Sequence, residues 1–368
     1  MNWDLFKEML SIDSTSGRER EMADWLLKHL EAPKKESFEV GDGTLNLLFS
    51  WGRPKVVFCT HMDTVPPYIA PIFPEDTPSG GTQSLRSFGP SHSTVPCRAQ
   101  AVGPSPYTCP GVDKPPVGSV PRKISGRGSC DAKGQIFAMY TACKELEAAG
   151  KTDFGLLLLA GEETGSWGAK AFSKTGFQAP FLVVGEPTEN KLVSAAKGTL
   201  SYDLKFTGKA FHSGYPEYGT SAVELFNEFY NKLKDKDFGE DPELGKTTWN
   251  IGLLKSDNPQ NILSPELTCR LYFRTTFTSH EAVQRWMGTV PEATLRARGD
   301  EPARYVTLPG FESAPVAFGS DAPHLTGFGH KLICGPGSIR YAHRDDEHIT
   351  AEELEEAVKL YIKIYQAL

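Results

Sequence analysis

A chain of 368 residues is longer than one typical domain, and 39% hydrophobic with 23% charged residues is ordinary globular composition with material for a sizeable core. The formal charge of -7 argues against nucleic acid and anionic membranes as partners, because both would be repelled. Seven cysteines without a C-x-x-C pair suit a reducing compartment, and with no signal peptide or bilayer-length apolar run the expectation is a soluble, cytoplasmic protein.

Trp3, Leu5, Phe6, Met9 and Leu10 recur at helical spacing and predict a short opening helix. Ser16, followed three residues later by Glu19, reads as a capping box for a second helix that buries Met22, Ala23, Leu26, Leu27 and Leu30. Three short apolar runs follow, Val56 to Cys59, Leu156 to Leu159 and Phe181 to Val184. None alternates with polar residues, as expected of parallel strands covered on both faces. Between the first two, Ile136, Met139, Tyr140, Cys143 and Leu146 mark a helix ended by Gly150. Strand, helix, strand implies a crossover and a doubly wound, mainly parallel α/β sheet.

After about residue 190 the pattern changes. Leu200, Tyr202, Leu204 and Phe206 alternate with polar residues, and Leu267, Cys269, Leu271 and Phe273 do the same. Val223 to Leu233 and Glu281 to Met287 read as helices, and a last helix runs from about Ala351 to Leu368. The expected layout is a catalytic domain of 1–188 and 295–368, with a smaller α+β domain (four-stranded sheet, two helices) inserted at 189–294. Residues 72–123 are rich in Pro, Ser and Gly without periodicity and read as an irregular, solvent-exposed insertion in which His92, Cys97 and Cys109 are not ligands.

The chemistry-bearing residues follow the apolar strands. His61 and Asp63 come after the first, Glu162 and Glu163 after the second, Glu186 after the third. Ligands of open α/β sheets bind outside the carboxyl ends of the strands, so these groups are delivered to one rim. Asp131 opens the crossover helix beside Gly126 and Gly128, and His343 lies near the end of the chain. Each has an ordinary alternative: a structural histidine, a helix cap at Asp131, a solvated Glu162–Glu163 turn. Together they describe a site that is electrostatically unfavourable without a cation, with ligand types that zinc and its neighbours accept.

The strings His61-Met62-Asp63-Thr64-Val65-Pro66-Pro67, Gly126 to Gly134, Gly161-Glu162-Glu163-Thr164-Gly165 and Gly185-Glu186-Pro187-Thr188 resemble the zinc-dependent aminoacylase and exopeptidase family. That family includes acetylornithine deacetylase, succinyl-diaminopimelate desuccinylase and glutamate-releasing carboxypeptidases, and the wording Ser129-Cys130-Asp131-Ala132-Lys133-Gly134 looks most like the deacetylases. The likeness covers nearly the whole chain except 72–123, where relatives have a shorter connection. It implies two divalent ions, zinc first with cobalt or manganese as alternatives. His61 and Glu186 would hold one ion, Glu163 and His343 the other, and Asp131 would bridge them.

By the same resemblance Asp63 orients His61, and Glu162 is the general base. His212 would polarise the scissile carbonyl, reaching across a homodimer from a lid or dimerisation domain. Arg274 and Asn261 would grip a substrate carboxylate. The implied activity is removal of an acyl group from an N-acyl amino acid. A dipeptidase or carboxypeptidase is the alternative of like chemistry, and a non-catalytic binding protein on the same fold the alternative of another class.

Overall fold

The computed structural model describes residues 1–41, 43–74 and 122–368. Most of the 72–123 segment, with His92, Cys97 and Cys109, therefore lies outside the described residues.

The larger body is organised by a six-stranded sheet. Four of its strands, Asp153–Leu159, Val56–His61, Ala179–Val184 and Phe328–Ile333, lie side by side in that order and run parallel. A hairpin of Lys34–Gly41 and Thr44–Gly52 extends the sheet, with Thr44–Gly52 antiparallel to Asp153–Leu159. The missing alternation in the apolar runs has a direct cause. Leu156 and Leu158 face a core shared with helices Trp3–Leu10, Arg20–His29, Lys133–Ala148 and Ala351–Ala367. Leu157 and Leu159 face a second core with Ala169, Phe172, Ala322 and Leu325. All four leucines are 0% exposed, each burial stabilising by about 1.5–3 kcal/mol.

From Val56–His61 the chain passes through helix Lys133–Ala148 to Asp153–Leu159 on one side, then crosses back to Ala179–Val184 on the other. The winding direction thus reverses at Val56–His61, and a crevice opens at the carboxyl ends of these strands. A short antiparallel pair, Lys123–Ser125 with His348–Thr350, ties the entry to the Asp131 segment to the chain's final quarter.

The expected capping box at Ser16 is not formed. Helix Arg20–His29 has Glu19 at its N-cap without a side-chain bond, and the Ser16 hydroxyl instead donates to Asp63 Oδ2 at 2.8 Å. A bond to a buried carboxylate outweighs a backbone cap. A reciprocal capping box does occur at the last helix, between Thr350 and Glu353. Among the described residues no helix is long and apolar enough to cross a membrane.

Gly198–Thr207, Thr248–Lys255, Glu266–Thr275 and Ala293–Arg298 form a separate four-stranded antiparallel sheet. Helices Ala222–Lys234 and His280–Met287 cover one face, where Leu200, Phe206, Leu271 and Phe273 meet Phe229, Leu233, Val283 and Met287. Leu192–Ala196 pairs elsewhere, with Ser313–Val316 and Ala303–Arg304. The small sheet therefore begins at Gly198 and ends at Arg298, a later window than the 189–294 drawn from sequence, because strand partners rather than local alternation decide membership.

Candidate active site

His61 is the last residue of the central strand, and its ring is fixed from both ends. Nδ1 lies 2.9 Å from the Asp63 carbonyl oxygen and 3.4 Å from Asp63 Oδ1, while Nε2 lies 3.0 Å from Asp131 Oδ1. The Asp63 carboxylate has further partners. It accepts the backbone N–H of Glu162 at 3.0 Å, that of Glu163 at 3.1 Å, and the Ser16 hydroxyl. One buried carboxylate thus joins the His61 strand end to the Glu162–Glu163 turn.

Asp131 is presented by a loop that side chains could not easily follow. Gly126 has φ 137° and Gly128 φ 83°, and a Cβ on Gly128 would lie 2.9 Å from Lys133 Cδ. The Asp131–Ala132 peptide is cis. Asp131 does not cap the following helix, whose N-cap is Ala132. The loop is held by a residue that sequence reasoning passed over, Glu347. Its Oε1 accepts from Gly128 N at 3.0 Å and from Cys130 N and Asp131 N at 3.1 Å, and its Oε2 pairs with Arg127 at 2.5 Å. Both side chains of that pair are essentially buried.

His343, at φ 65°, enters from the opposite side. Its Nε2 lies 2.8 Å from Glu163 Oε1 and 3.4 Å from Asp131 Oδ2. Asp131 therefore stands between two imidazoles, with one oxygen facing each. Glu186, just beyond strand Ala179–Val184, is 4% exposed, and its Oε1 has no hydrogen-bond partner among the described residues.

These groups open into a cavity of about 370 Å³ lined by Asp131, Glu162, Glu163, Glu186 and His343, and also by Arg274. Arg274 is half-buried near the end of strand Glu266–Thr275, its guanidinium 5.1 Å from the Tyr272 ring centroid. His212 and Asn261 do not line the cavity. They are exposed neighbours on the small domain, where Ser213 N donates to the Asn261 carbonyl at 2.9 Å.

The electrostatics follow from burial. Burial raises the pKa of Glu162 well above the usual range, opposed by His61 and reinforced by Asp321, Glu163 and Asp131. Burial does the same to Glu186, with Glu162 and Asp131 adding to it. Burial opposes charge on His61, but Asp131 and Asp63 outweigh it and raise its pKa well above normal. Hydrogen bonds to Asp131 and Glu163 push His343 up to about 10. Burial disfavours charge on Asp131, yet His343 and His61 hold its pKa well below the ordinary carboxylate value.

A cation fits this arrangement. Donor atoms of His61, Asp131 and Glu163 all lie within 4.8 Å of one another, and the orphaned Glu186 oxygen is aligned with a need for positive charge.

The mixed α/β fold is shared with peptidases of known structure. A tripeptidase from Staphylococcus aureus matches with TM-score 0.74 at 18% identity, covering 98% of this chain and 96% of its own. A dinuclear metal-binding M20 peptidase from Bacillus subtilis matches with TM-score 0.63 at 10% identity, covering 100% and 98%. In sequence, a probable carboxypeptidase of Aspergillus terreus is 29% identical over 410 residues, spanning 98% of this chain and 85% of the relative. The model of peptidase family M20/M25/M40 matches residues 108–367, and the chain belongs to that family. It is a hydrolase of amide or peptide bonds.

Proposed function

We propose that the chain is a two-metal amidohydrolase whose substrate, an N-acyl amino acid or short peptide, carries a free α-carboxylate. The observation that carries this reading is the position of Asp131, with Oδ1 3.0 Å from His61 Nε2 and Oδ2 3.4 Å from His343 Nε2. In this reading Asp131 would be shared between two divalent ions, with His61 and Glu186 holding one and Glu163 and His343 the other, zinc first and cobalt or manganese as alternatives. When bound, such ions acidify water and polarise a carbonyl oxygen.

The chain's own residues do the rest. Asp63 fixes the His61 ring through Nδ1, so that Nε2 points into the site. Glu162 takes the proton of the attacking water at its carboxylate and hands it to the leaving amine, a role suited by its place in the cavity lining beside Asp131 and Glu163. Arg274, also in the cavity lining, receives the substrate carboxylate.

The wording of Ser129 to Gly134 supports a deacylase resembling those for acetylornithine or succinylated amino acids. The Aspergillus terreus relative's name supports a carboxypeptidase, the S. aureus structure a peptidase of short chains. All release an amino acid or peptide with a free carboxylate. The small domain, as a lid and dimer contact, would bring His212 and Asn261 to a second copy's cavity. Exposed Phe211, Tyr215, Tyr218, Leu253, Leu254 and Ile262 near this region support such a homodimer. The five described cysteines are all free and buried, in keeping with a cytoplasmic setting.

A panel of acyl-ornithines, acyl-lysines, succinyl-diaminopimelate and dipeptides, each with free and amidated carboxyl termini, tests the reading. Turnover should require the free carboxylate. Arg274→Ala should raise KM roughly 10–150-fold, the loss of a charged hydrogen bond of about 1.5–3 kcal/mol. Equal turnover of the amidated compounds would overturn the carboxylate assignment.

A further inference from the structure

We infer that Asp321 supplies buried negative charge that holds the divalent ions of the His61–Asp131–Glu163 site, without being one of their ligands. The inference rests on the two-metal reading above. Asp321 precedes the short segment Ala322–His324. Ala322 is fixed in the core with Val57, Cys59 and Val184, beneath the strands that deliver His61 and Glu186. On the other side Ser320 lines the cavity with Asp131, Glu162 and Glu186. The side chain is thus set between core and active site.

Asp321 is 1% exposed; neither carboxylate oxygen meets a donor at regular hydrogen-bond geometry among the described residues, and the Ser166 side chain is the neighbour that comes nearest to serving as one. Other buried carboxylates near the site, Asp63, Glu347 and Glu19, each hold backbone N–H groups and so have a structural task. Asp321 holds none. A buried, unpaired carboxylate costs several kcal/mol, which selects against it unless a positive charge arrives. Its charged neighbours are His61, Asp63 and His324, and it acts in turn on Glu162 and Glu186. His61 and His324 offset part of the negative charge of Asp63, Glu162 and Glu186 around it. Burial pushes the pKa of Asp321 up to about 6, with His61 and a Ser166 side-chain hydrogen bond opposing and Asp63 adding. A bound cation turns this repulsion into attraction. Asp321 is absent from the group whose donor atoms converge within 4.8 Å, so its effect is through space.

The test is a cobalt(II) titration of the metal-free full chain at pH 8, followed by visible absorption, for wild type and Asp321→Asn. The variant should bind cobalt at least roughly tenfold more weakly, a lower bound on the Coulomb effect of one unit charge within several ångströms of a divalent ion even at an effective dielectric of about 20. Its metal-free form should melt higher than metal-free wild type, because a buried charge has been removed, whereas loss of a structural contact would lower the midpoint. Asp321→Ala serves if the Asn variant does not fold, as judged by circular dichroism. Cobalt affinity unchanged beside a wild type that binds overturns this inference alone. No cobalt uptake by wild type overturns the two-metal reading and this inference with it.

Discussion

Glu162 and its neighbour Glu163 show how one peptide bond separates two tasks. Both backbone N–H groups are pinned by the Asp63 carboxylate, but the Glu163 side chain turns to His343 while that of Glu162 lines the open cavity. Glu162→Ala is therefore expected to lower kcat by about 10²–10⁴-fold while metal content stays near wild type. His61→Ala should lose both, since its Nε2 meets Asp131, the proposed bridging ligand. Metal analysis beside steady-state kinetics checks the pair, and retained turnover in Glu162→Ala would remove it from the proton-transfer role. At this scale His61, Glu162, Glu163 and Glu186 could be singled out because each follows an apolar run at a strand end, whereas Asp131 and His343 do not. Ser16, Asp321 and Glu347 could not be singled out. Ser16 imitates a helix cap, and Glu347 sits in the charged run Arg344-Asp345-Asp346-Glu347, which reads as a solvated turn. Their partners are distant in sequence, and no local pattern announces them.

The elements that position the site divide the same way. The three apolar runs could be read as buried parallel strands from composition alone, and they are. The hairpin of Lys34–Gly41 and Thr44–Gly52 went unread. Its first strand is half-exposed and lysine-rich, and the second buries Thr44, Asn46 and Ser50 among its apolar residues. The pair Lys123–Ser125 with His348–Thr350 was equally hidden, yet it places Glu347 under the Asp131 loop. Glu347→Gln should leave Arg127 as an uncompensated buried charge and destabilise the fold by about 3–5 kcal/mol. Denaturant unfolding measures this, and a loss below about 1 kcal/mol would show that the loop is held by other contacts.

For the whole molecule, Leu192–Ala196 and Ala293–Arg298 are assigned to their sheets by distant partners, which local alternation does not reveal. Two predictions belong here. Chelation of bound ions should lower the thermal midpoint by several degrees, since saturation at 100 times Kd stabilises by about 2.7 kcal/mol. If His212 acts across a dimer, mixing inactive His212→Ala with inactive Glu162→Ala should restore activity, because one cavity of the mixed dimer then has both groups intact. No recovery after subunit exchange would confine His212 to its own chain. The central claim, that two divalent ions are held between His61 and His343 by Asp131, is tested most directly by elemental analysis of the purified protein. The account predicts about two divalent ions per chain in wild type and near-complete loss in Asp131→Ala. A metal-free wild type that takes up none when resupplied, or an Asp131→Ala variant that retains both, would contradict it.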